Sequence, residues 1–319
     1  MKVTKDMVHP DLRAGFGFMS VLTFFFKRPW FTRLMDGLGR RMTSGKPIEG
    51  LDCDEVCIDS SDGRWKIRTR IYRPRGVTEK LPVLLYIHGG GYIACTPELF
   101  NRVIEQFIET RPCVVISPDY RKAYVEPFPA AFNDCYETLI WAKNNADKLG
   151  VRDDRFIIAG HSAGGGLTAA VTLKARDTGA VDIAFQMPIY PMIDDEQPHD
   201  AGREISVPVW DSDMNRIGWA AYLAALNEAG TDIPAYAAPA RNTDYEGFPP
   251  SITFVGTLEP FYQETLDYVN ALKEAGIEVA YKEYEGCFHA FDMFGQPISE
   301  DAQSFTYDQY ADFYDRHVN

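Results

Sequence analysis

One stretch of this sequence decides the fold, Phe156-Ile157-Ile158-Ala159-Gly160-His161-Ser162-Ala163-Gly164-Gly165-Gly166. Its apolar, β-branched start predicts a buried strand, and a helical pattern opens at its end. The spacing Gly160-x-Ser162-x-Gly164 is typical of a sharp strand-to-helix turn that lifts a serine hydroxyl above the edge of a sheet. The first N–H groups of the helix would then favour negative charge beside Ser162. We interpret the stretch as the site of a nucleophile whose product carries an oxyanion; an ordinary tight turn is the alternative.

Outward from this stretch, buried apolar runs alternate with helical patterns. The runs that predict strands are Leu81–Ile87, Cys113–Ser117, Ile183–Tyr190, Ser251–Val255 and Glu278–Tyr284. The patterns that predict helices are Pro97–Thr110, Ala130–Leu149, the helix that follows Ser162 and ends at about Gly179, Asn215–Asn227, Phe261–Ala275 and Glu300–His317. Trp65–Tyr72 alternates apolar and polar residues, as expected of a strand with one solvated face. This order predicts an α/β protein with a mostly parallel central sheet and helices on both faces.

Two segments do not follow the alternation. Residues 191–247 hold a polar loop, a helix and a coil rich in Ala, Pro and Tyr, and residues 1–45 are helical and aromatic. We expect one domain over residues 1–319, with a cap formed by these two segments. The aromatic segment is expected to pack on the rest of the protein. A membrane-surface anchor is the alternative, disfavoured by the sparse basic residues.

A serine hydroxyl needs a general base to act as a nucleophile at neutral pH. Five of the six histidines lie near the termini, inside glycine motifs or in the cap: His9, His317, His88, His161 and His199. His289 remains, in a loop after the last predicted strand and therefore at the same sheet edge as Ser162. Elimination thus makes His289 the candidate base, with a packed loop histidine as the alternative reading.

The base in turn needs an acid that orients it, and this acid should follow the intervening strand. Glu259 does so, and Pro260 fixes the loop before the next helix. Four other carboxylates are candidates: Glu264 and Asp267, which we expect to face solvent from the helix, and Asp194 and Asp195, which could reach the site.

His88-Gly89-Gly90-Gly91 follows another central strand. Its glycines allow the backbone to approach a ligand closely, so the N–H groups of Gly89 and Gly90, with that of Ala163, would form an oxyanion hole. A phosphate-binding loop is the rival interpretation, but no Lys-Ser/Thr follows and the spacing fits neither common glycine motif.

Composition excludes several classes of function. The net charge of −14 argues against a nucleic-acid partner. The six cysteines lack zinc-site spacing, and no secretory signal or bilayer-spanning stretch is visible, so we expect a cytoplasmic protein with reduced thiols and no stable membrane insertion. No metal or organic cofactor is implied. The sequence is compatible with a homodimer as well as with a monomer.

Together these residues resemble the hormone-sensitive-lipase-like branch of the α/β-hydrolases. The resemblance rests on His88–Gly91, on Asp119–Arg121 and on Gly160–Gly165, and it covers about residues 55–295. It implies an α/β-hydrolase fold. The stretches Pro191–Asp195, Gly218-Trp219, Tyr236–Arg241 and Gly247–Pro250 also resemble a bacterial subgroup of carboxylesterases. Three positions depart from the family pattern: His161 and Glu259 each replace an aspartate, and Lys122-Ala123-Tyr124-Val125 replaces Leu-Ala-Pro-Glu.

The sequence therefore predicts a serine carboxylesterase for short-acyl esters, with Ser162, His289 and Glu259 as the triad. An amidase, arylformamidase or short-peptide hydrolase that uses the same triad is the second hypothesis. A ligand-binding receptor is the third; the plant gibberellin receptor resembles the same family but lacks the catalytic histidine.

Overall fold

Eight strands and ten α-helices occur in residues 2–318, the part of the chain that the computed structural model describes. The strands are β1 (Leu51–Asp59), β2 (Lys66–Pro74), β3 (Leu81–Ile87), β4 (Val114–Pro118), β5 (Val151–His161), β6 (Ile183–Ile189), β7 (Ser251–Gly256) and β8 (Val279–Tyr284). The helices are α1 (Phe16–Phe26), α2 (Pro29–Thr43), α3 (Asn101–Thr110), α4 (Ala130–Asn144), α5 (Ala146–Leu149), α6 (Ala163–Thr178), α7 (Ser212–Tyr222), α8 (Ala224–Ala229), α9 (Tyr262–Glu274) and α10 (Pro297–His317).

The strands form one sheet in the order β1-β2-β4-β3-β5-β6-β7-β8. β2 pairs antiparallel with both of its neighbours, and the remaining pairs are parallel. The predicted α/β class and the mostly parallel sheet are therefore confirmed.

β3 shows why a continuous apolar run was the right signal for a central strand. Successive side chains point to opposite faces, so Leu85 and Ile87 join the core shared with α4 and α6. Leu84 and Tyr86 join the other core, shared with α3 and α10. Both faces are covered by helices, and every residue of β3 is buried.

The parallel strands bring four loops to one edge of the sheet. β3 ends one residue before His88, and β5 ends one residue before Ser162. β7 ends three residues before Glu259, and the loop after β8 carries His289. Residues distant in sequence thus share the edge at which α/β folds bind ligands.

The N-terminal segment contacts the 191–247 insertion, as the cap prediction requires. The backbone N–H of Val209 donates to the Thr23 hydroxyl at 2.7 Å. Lys27 forms ion pairs with Asp211 and Asp213 at 2.6 and 2.7 Å. The action of these segments as a lid stays a prediction. None of the helices in residues 2–318 is both long and apolar enough to cross a membrane.

Three details of the predicted elements were wrong. The helix expected over 130–149 divides at Asn145, and the helix expected over 215–227 is the pair α7 and α8. The expected solvated face of β2 is largely covered, because Arg70 is buried beside Glu98 and donates to the carbonyl oxygen of Lys46. Periodicity shows that polar side chains share a face, but it cannot show that distant loops cover them.

The aromatic N-terminal segment was expected to pack on the rest of the protein, and only part of it does. Phe16, Met19 and Phe26 pack against the buried cores. Phe18 and Trp30, by contrast, are 76 % and 64 % exposed.

Candidate active site

Ser162 occupies the predicted turn between β5 and α6. Its φ of 58° and ψ of −122° are unusual for a residue with a side chain, and such conformations cost roughly 1–3 kcal/mol. The turn is held because the Ser162 N–H donates to Ile189 O at 3.0 Å and the Ser162 carbonyl accepts from the Gly166 and Met192 N–H groups. Glycine is required at 164, where a Cβ would lie 2.1 Å from the carbonyl oxygen of Ile87.

His289 lies between Ser162 and Glu259. Its Nε2 is 2.9 Å from Ser162 Oγ, and its Nδ1 is 2.5 Å from Glu259 Oε2. Because a carboxylate can only accept, Nδ1 carries the ring proton and Nε2 accepts from the serine hydroxyl. All three residues are buried. The structure thus brings together the three residues that the sequence singled out for the triad.

Glu259 is held on both sides. Its second oxygen, Oε1, accepts from the Gly256 N–H at 2.9 Å, so both carboxylate oxygens have a donor. In the same loop after β7, the Leu258 N–H donates to Cys287 O in the neighbouring loop. This bond ties the Glu259 loop to the His289 loop.

The four competing carboxylates bind partners other than His289. Asp194 binds His199 Nε2 at 2.8 Å, Asp195 pairs with Arg241 at 2.7 Å, and Asp267 is exposed and accepts from Gln263. The expectation that Glu264 faces solvent was wrong. Glu264 is buried and accepts from the Ile193 N–H at 2.7 Å, because its side of α9 faces the end of β6.

Gly89 lies beside the turn between β5 and α6, which we call the elbow, since a Cβ on Gly89 would be 3.4 Å from Ser162 Cβ. Gly90 follows it in the chain. Within residues 2–318, no backbone acceptor is paired with the N–H of either glycine. The N–H of Ala163 opens α6, where helical N–H groups have no partner inside the helix. These three donors therefore remain available to an anionic oxygen near Ser162.

Lys122 lies behind the loop 88–91, which carries the predicted oxyanion donors Gly89 and Gly90 and which we call the oxyanion loop. Its ammonium is buried and has three acceptors, which match its three N–H bonds: Asp119 Oδ1 at 3.0 Å, Tyr120 O at 2.7 Å and His88 Nε2 at 3.2 Å. Burial lowers the pKa of Lys122, against the attraction of Asp119. Burial, and then the lysine charge, lower the pKa of His88 well below its ordinary value, so His88 is neutral.

The neutral His88 fixes the loop. Because Nε2 accepts from Lys122, Nδ1 carries the proton and donates to Gly89 O at 2.7 Å. In a trans peptide the N–H points opposite to the C=O, so this bond turns the Gly90 N–H away from the His88 ring. Sequence reasoning missed Lys122, although its departure from the family pattern was a usable signal.

His161, the first departure in the elbow, is part of a second buried group. Its Nδ1 is 2.9 Å from the Tyr86 hydroxyl, and its Nε2 is 3.9 Å from Asp292 Oδ2. Burial, with a smaller contribution from His289, lowers the pKa of His161 to about 3. Burial raises the pKa of Asp292 to about 6, against the hydrogen bond that Tyr190 donates to it. A neutral imidazole thus stands at position 161, where the family pattern has an aspartate, and the Asp292 carboxyl group from the loop after β8 lies 3.9 Å from it.

Aromatic rings form the walls around His289. The ring centroids of Tyr190 and Phe261 each lie 4.9 Å from the imidazole centroid, and that of Trp210 lies 6.4 Å away. Trp210, from the 191–247 insertion, also covers the oxyanion loop so closely that a Cβ on Gly91 would come within 2.0 Å of its indole. The site is therefore apolar and narrow above the loop.

The fold and this arrangement define the class of protein. A family profile described as the alpha/beta hydrolase fold matches residues 84–293. The chain belongs to this family, and specifically to the hormone-sensitive-lipase-like carboxylesterase branch that the sequence resembled.

The chain is similar to several particular proteins. It is 32 % identical to the carboxylesterase NlhH of Mycobacterium tuberculosis over 248 residues, and this alignment covers 76 % of each chain. Its structure is similar to that of a bacterial heroin esterase, with a TM-score of 0.87, 29 % identity and coverage of 98 % of this chain and 99 % of that one. It is also similar to the esterase LipW from Mycobacterium marinum, with a TM-score of 0.80, 27 % identity and coverage of 98 % and 97 %.

Proposed function

We propose that this chain is a serine carboxylesterase that hydrolyses short-acyl esters through Ser162, His289 and Glu259. The observation that carries the proposal is the position of the His289 ring, with one nitrogen on the serine hydroxyl and the other on a buried carboxylate. The class of enzyme, a carboxylic ester hydrolase, has further support because the relatives are named carboxylesterase and esterase.

In the proposed acylation, Ser162 Oγ attacks the ester carbonyl carbon while His289 Nε2 accepts the hydroxyl proton. The carbonyl electron pair moves to oxygen, and the N–H groups of Gly89, Gly90 and Ala163 stabilise the resulting anion. When the tetrahedral intermediate collapses, the bond to the alcohol oxygen breaks and His289 returns the proton to it.

Deacylation repeats these steps with water. His289 removes a proton from the water, the hydroxide oxygen attacks the acyl carbon, and Ser162 Oγ leaves with the proton that His289 held. The Glu259 carboxylate accepts the hydrogen bond from His289 Nδ1 and stabilises the imidazolium that forms in both halves. Each oxyanion donor contributes on the order of 3–4 kcal/mol to lowering the barrier.

The preference for short acyl groups is proposed from Trp210. Its indole closes the space over Gly91 and lies near His289, which restricts the room for an acyl chain beside the oxyanion loop. A series of p-nitrophenyl esters of increasing acyl length measures this directly. We expect kcat/KM to fall as the chain lengthens, and Trp210→Ala to move the optimum toward longer chains.

The proposed reaction is tested with p-nitrophenyl acetate and the Ser162→Ala variant. We expect kcat to fall by about 10⁶, because no other group can form the acyl-enzyme. Undiminished turnover in the folded variant would overturn the proposal. Matched anilide substrates distinguish ester from amide hydrolysis, since an amidase would cleave both series at comparable rates.

A further inference from the structure

The solvent-exposed sides of α1 and α2 carry large apolar side chains that the fold does not bury. On α1, Phe18, Val21, Leu22 and Phe25 are exposed and recur at i, i+3, i+4 and i+7, so they form one stripe. The opposite side of α1 packs against the cores. A helix that is apolar on both sides is typical of burial or of contact with lipid.

α2 continues this surface. Trp30, Leu34, Leu38 and Met42 are spaced four residues apart and are 48–64 % exposed. The two helices are joined by ring contacts, because Phe31 lies 5.7 Å from both Phe25 and Trp30. We call these two exposed stripes, Phe18 to Phe25 on α1 and Trp30 to Met42 on α2, the outer face.

The charge of this segment is opposite to that of the remaining chain. Residues 1–46 contain nine Lys and Arg but only three acidic residues, a net charge of +6, whereas residues 47–319 carry −20. Five of these nine cations lie on α2 or in the turn between α1 and α2: Lys27, Arg28, Arg33, Arg40 and Arg41. A basic rim around apolar side chains complements an anionic surface.

Several of these cations are not engaged in ion pairs. Lys27 and Arg40 are paired with Asp211 and Asp119. Within residues 2–318, by contrast, Arg28, Arg41 and Lys46 have no carboxylate partner within salt-bridge distance and are exposed. Free cations beside exposed Trp and Phe side chains are the features of helices that lie in the plane of a lipid interface.

We propose that the outer face docks the protein reversibly on an anionic lipid surface, with α1 and α2 lying in the plane of the interface. A second copy of the chain fits this face less well, because a two-fold contact would bring the two basic rims together. The proposal does not depend on the triad, since it concerns where the protein sits and not what it cleaves.

The test is sedimentation of the full chain with vesicles. One set contains phosphatidylcholine alone, and the other contains equal parts of phosphatidylcholine and phosphatidylglycerol. We expect the wild-type chain to bind the anionic vesicles at least about ten-fold more tightly than the neutral ones, and to be released as salt rises.

Variants separate the contribution of the apolar side chains to vesicle binding from that of the basic side chains. Phe18→Ser with Trp30→Ser, both at exposed positions, should weaken binding to anionic vesicles by about ten-fold or more. Arg28→Gln with Arg41→Gln should weaken it similarly and reduce its dependence on salt. Lys148→Gln, which removes an exposed cation at the opposite edge of the sheet, should leave binding unchanged. Circular dichroism of each variant checks that the fold is retained.

Absence of binding by the wild-type chain to anionic vesicles at low salt overturns the proposal. Equal binding by Phe18→Ser with Trp30→Ser overturns it as well. A dimer found by sedimentation equilibrium, and dissociated by the same double substitution, assigns the outer face to a second copy and also overturns the lipid proposal.

Discussion

The elbow edge of the sheet and the outer face of α1 and α2 use their side chains in opposite ways. At the edge, Ser162, His289 and Glu259 are polar, buried and paired with one another. On the outer face, Phe18 and Trp30 are apolar and exposed. Both regions depart from what folding alone favours, and such departures are expected where a protein binds or reacts. The first points to chemistry and the second to docking.

The largest effect is expected at the edge. His289→Ala should lower kcat/KM for p-nitrophenyl acetate by about 10⁶, and Glu259→Gln by about 10⁴, because the base is lost in one and its tautomer is wrong in the other. Phe18→Ser serves as the matched substitution on the outer face. A loss below ten-fold for His289→Ala would break the contrast between the two regions.

A smaller effect is expected behind the oxyanion loop. Lys122→Leu restores the residue of the family pattern but removes the donor to His88 Nε2, so the Gly89–Gly90 peptide loses its fixed orientation. We expect kcat to fall by about ten-fold, with KM changed much less. Lys66→Leu removes a similar charge from an exposed position and is the control. Equal kcat in the Lys122→Leu variant and wild type would show that His88 is held without the lysine.

His161 and Asp292 should affect stability with opposite dependence on pH. The pKa of His161 is lowered to about 3, so the unfolded chain binds more protons and stability rises with pH from about 3 to 6.5. The pKa of Asp292 is raised to about 6, so the folded chain binds more protons and stability falls with pH from about 4 to 6.

Within pH 4–6 these two contributions oppose each other. Relative to wild type, Asp292→Asn should make the unfolding free energy rise with pH by about 1.4 kcal/mol per unit, and His161→Gln should make it fall by about as much. Urea titrations at several pH values measure both slopes. If both substitutions changed the slope in the same direction relative to wild type, the assigned protonation states would be contradicted.

The smallest effect is expected on the outer face itself. Phe18→Ser should change the unfolding free energy by less than about 0.5 kcal/mol, because the ring is exposed and loses little buried area. Turnover of a soluble ester should stay within about two-fold of wild type. A marked loss of stability, measured by urea unfolding, would show that Phe18 packs in the folded protein.

The sequence predicted the edge well because its signals are local. Glycine spacing around Ser162, an apolar run before each loop and the order of the loops suffice to place Ser162, Glu259 and His289 at one edge of a parallel sheet. The contacts among these three residues then follow from the topology, which aligns the carboxyl ends of β5, β7 and β8.

What the sequence did not predict depends on contacts between distant segments. Glu264 was expected to face solvent, but the end of β6 lies against its side of α9. Lys122 binds His88 only because the loop after β4 returns beneath the end of β3. The exposure of Phe18 runs against hydrophobic patterning itself, which predicts burial for such a residue.

The central claim is that Ser162 forms a covalent acyl-enzyme. The most direct measurement treats the folded chain with a fluorophosphonate probe and locates the adduct by peptide mass spectrometry, with turnover of p-nitrophenyl acetate followed in parallel. We predict one equivalent of adduct on Ser162, with loss of turnover in proportion to labelling. Full turnover in protein whose Ser162 is fully labelled, or loss of turnover in treated protein that carries no adduct on Ser162, would contradict the account.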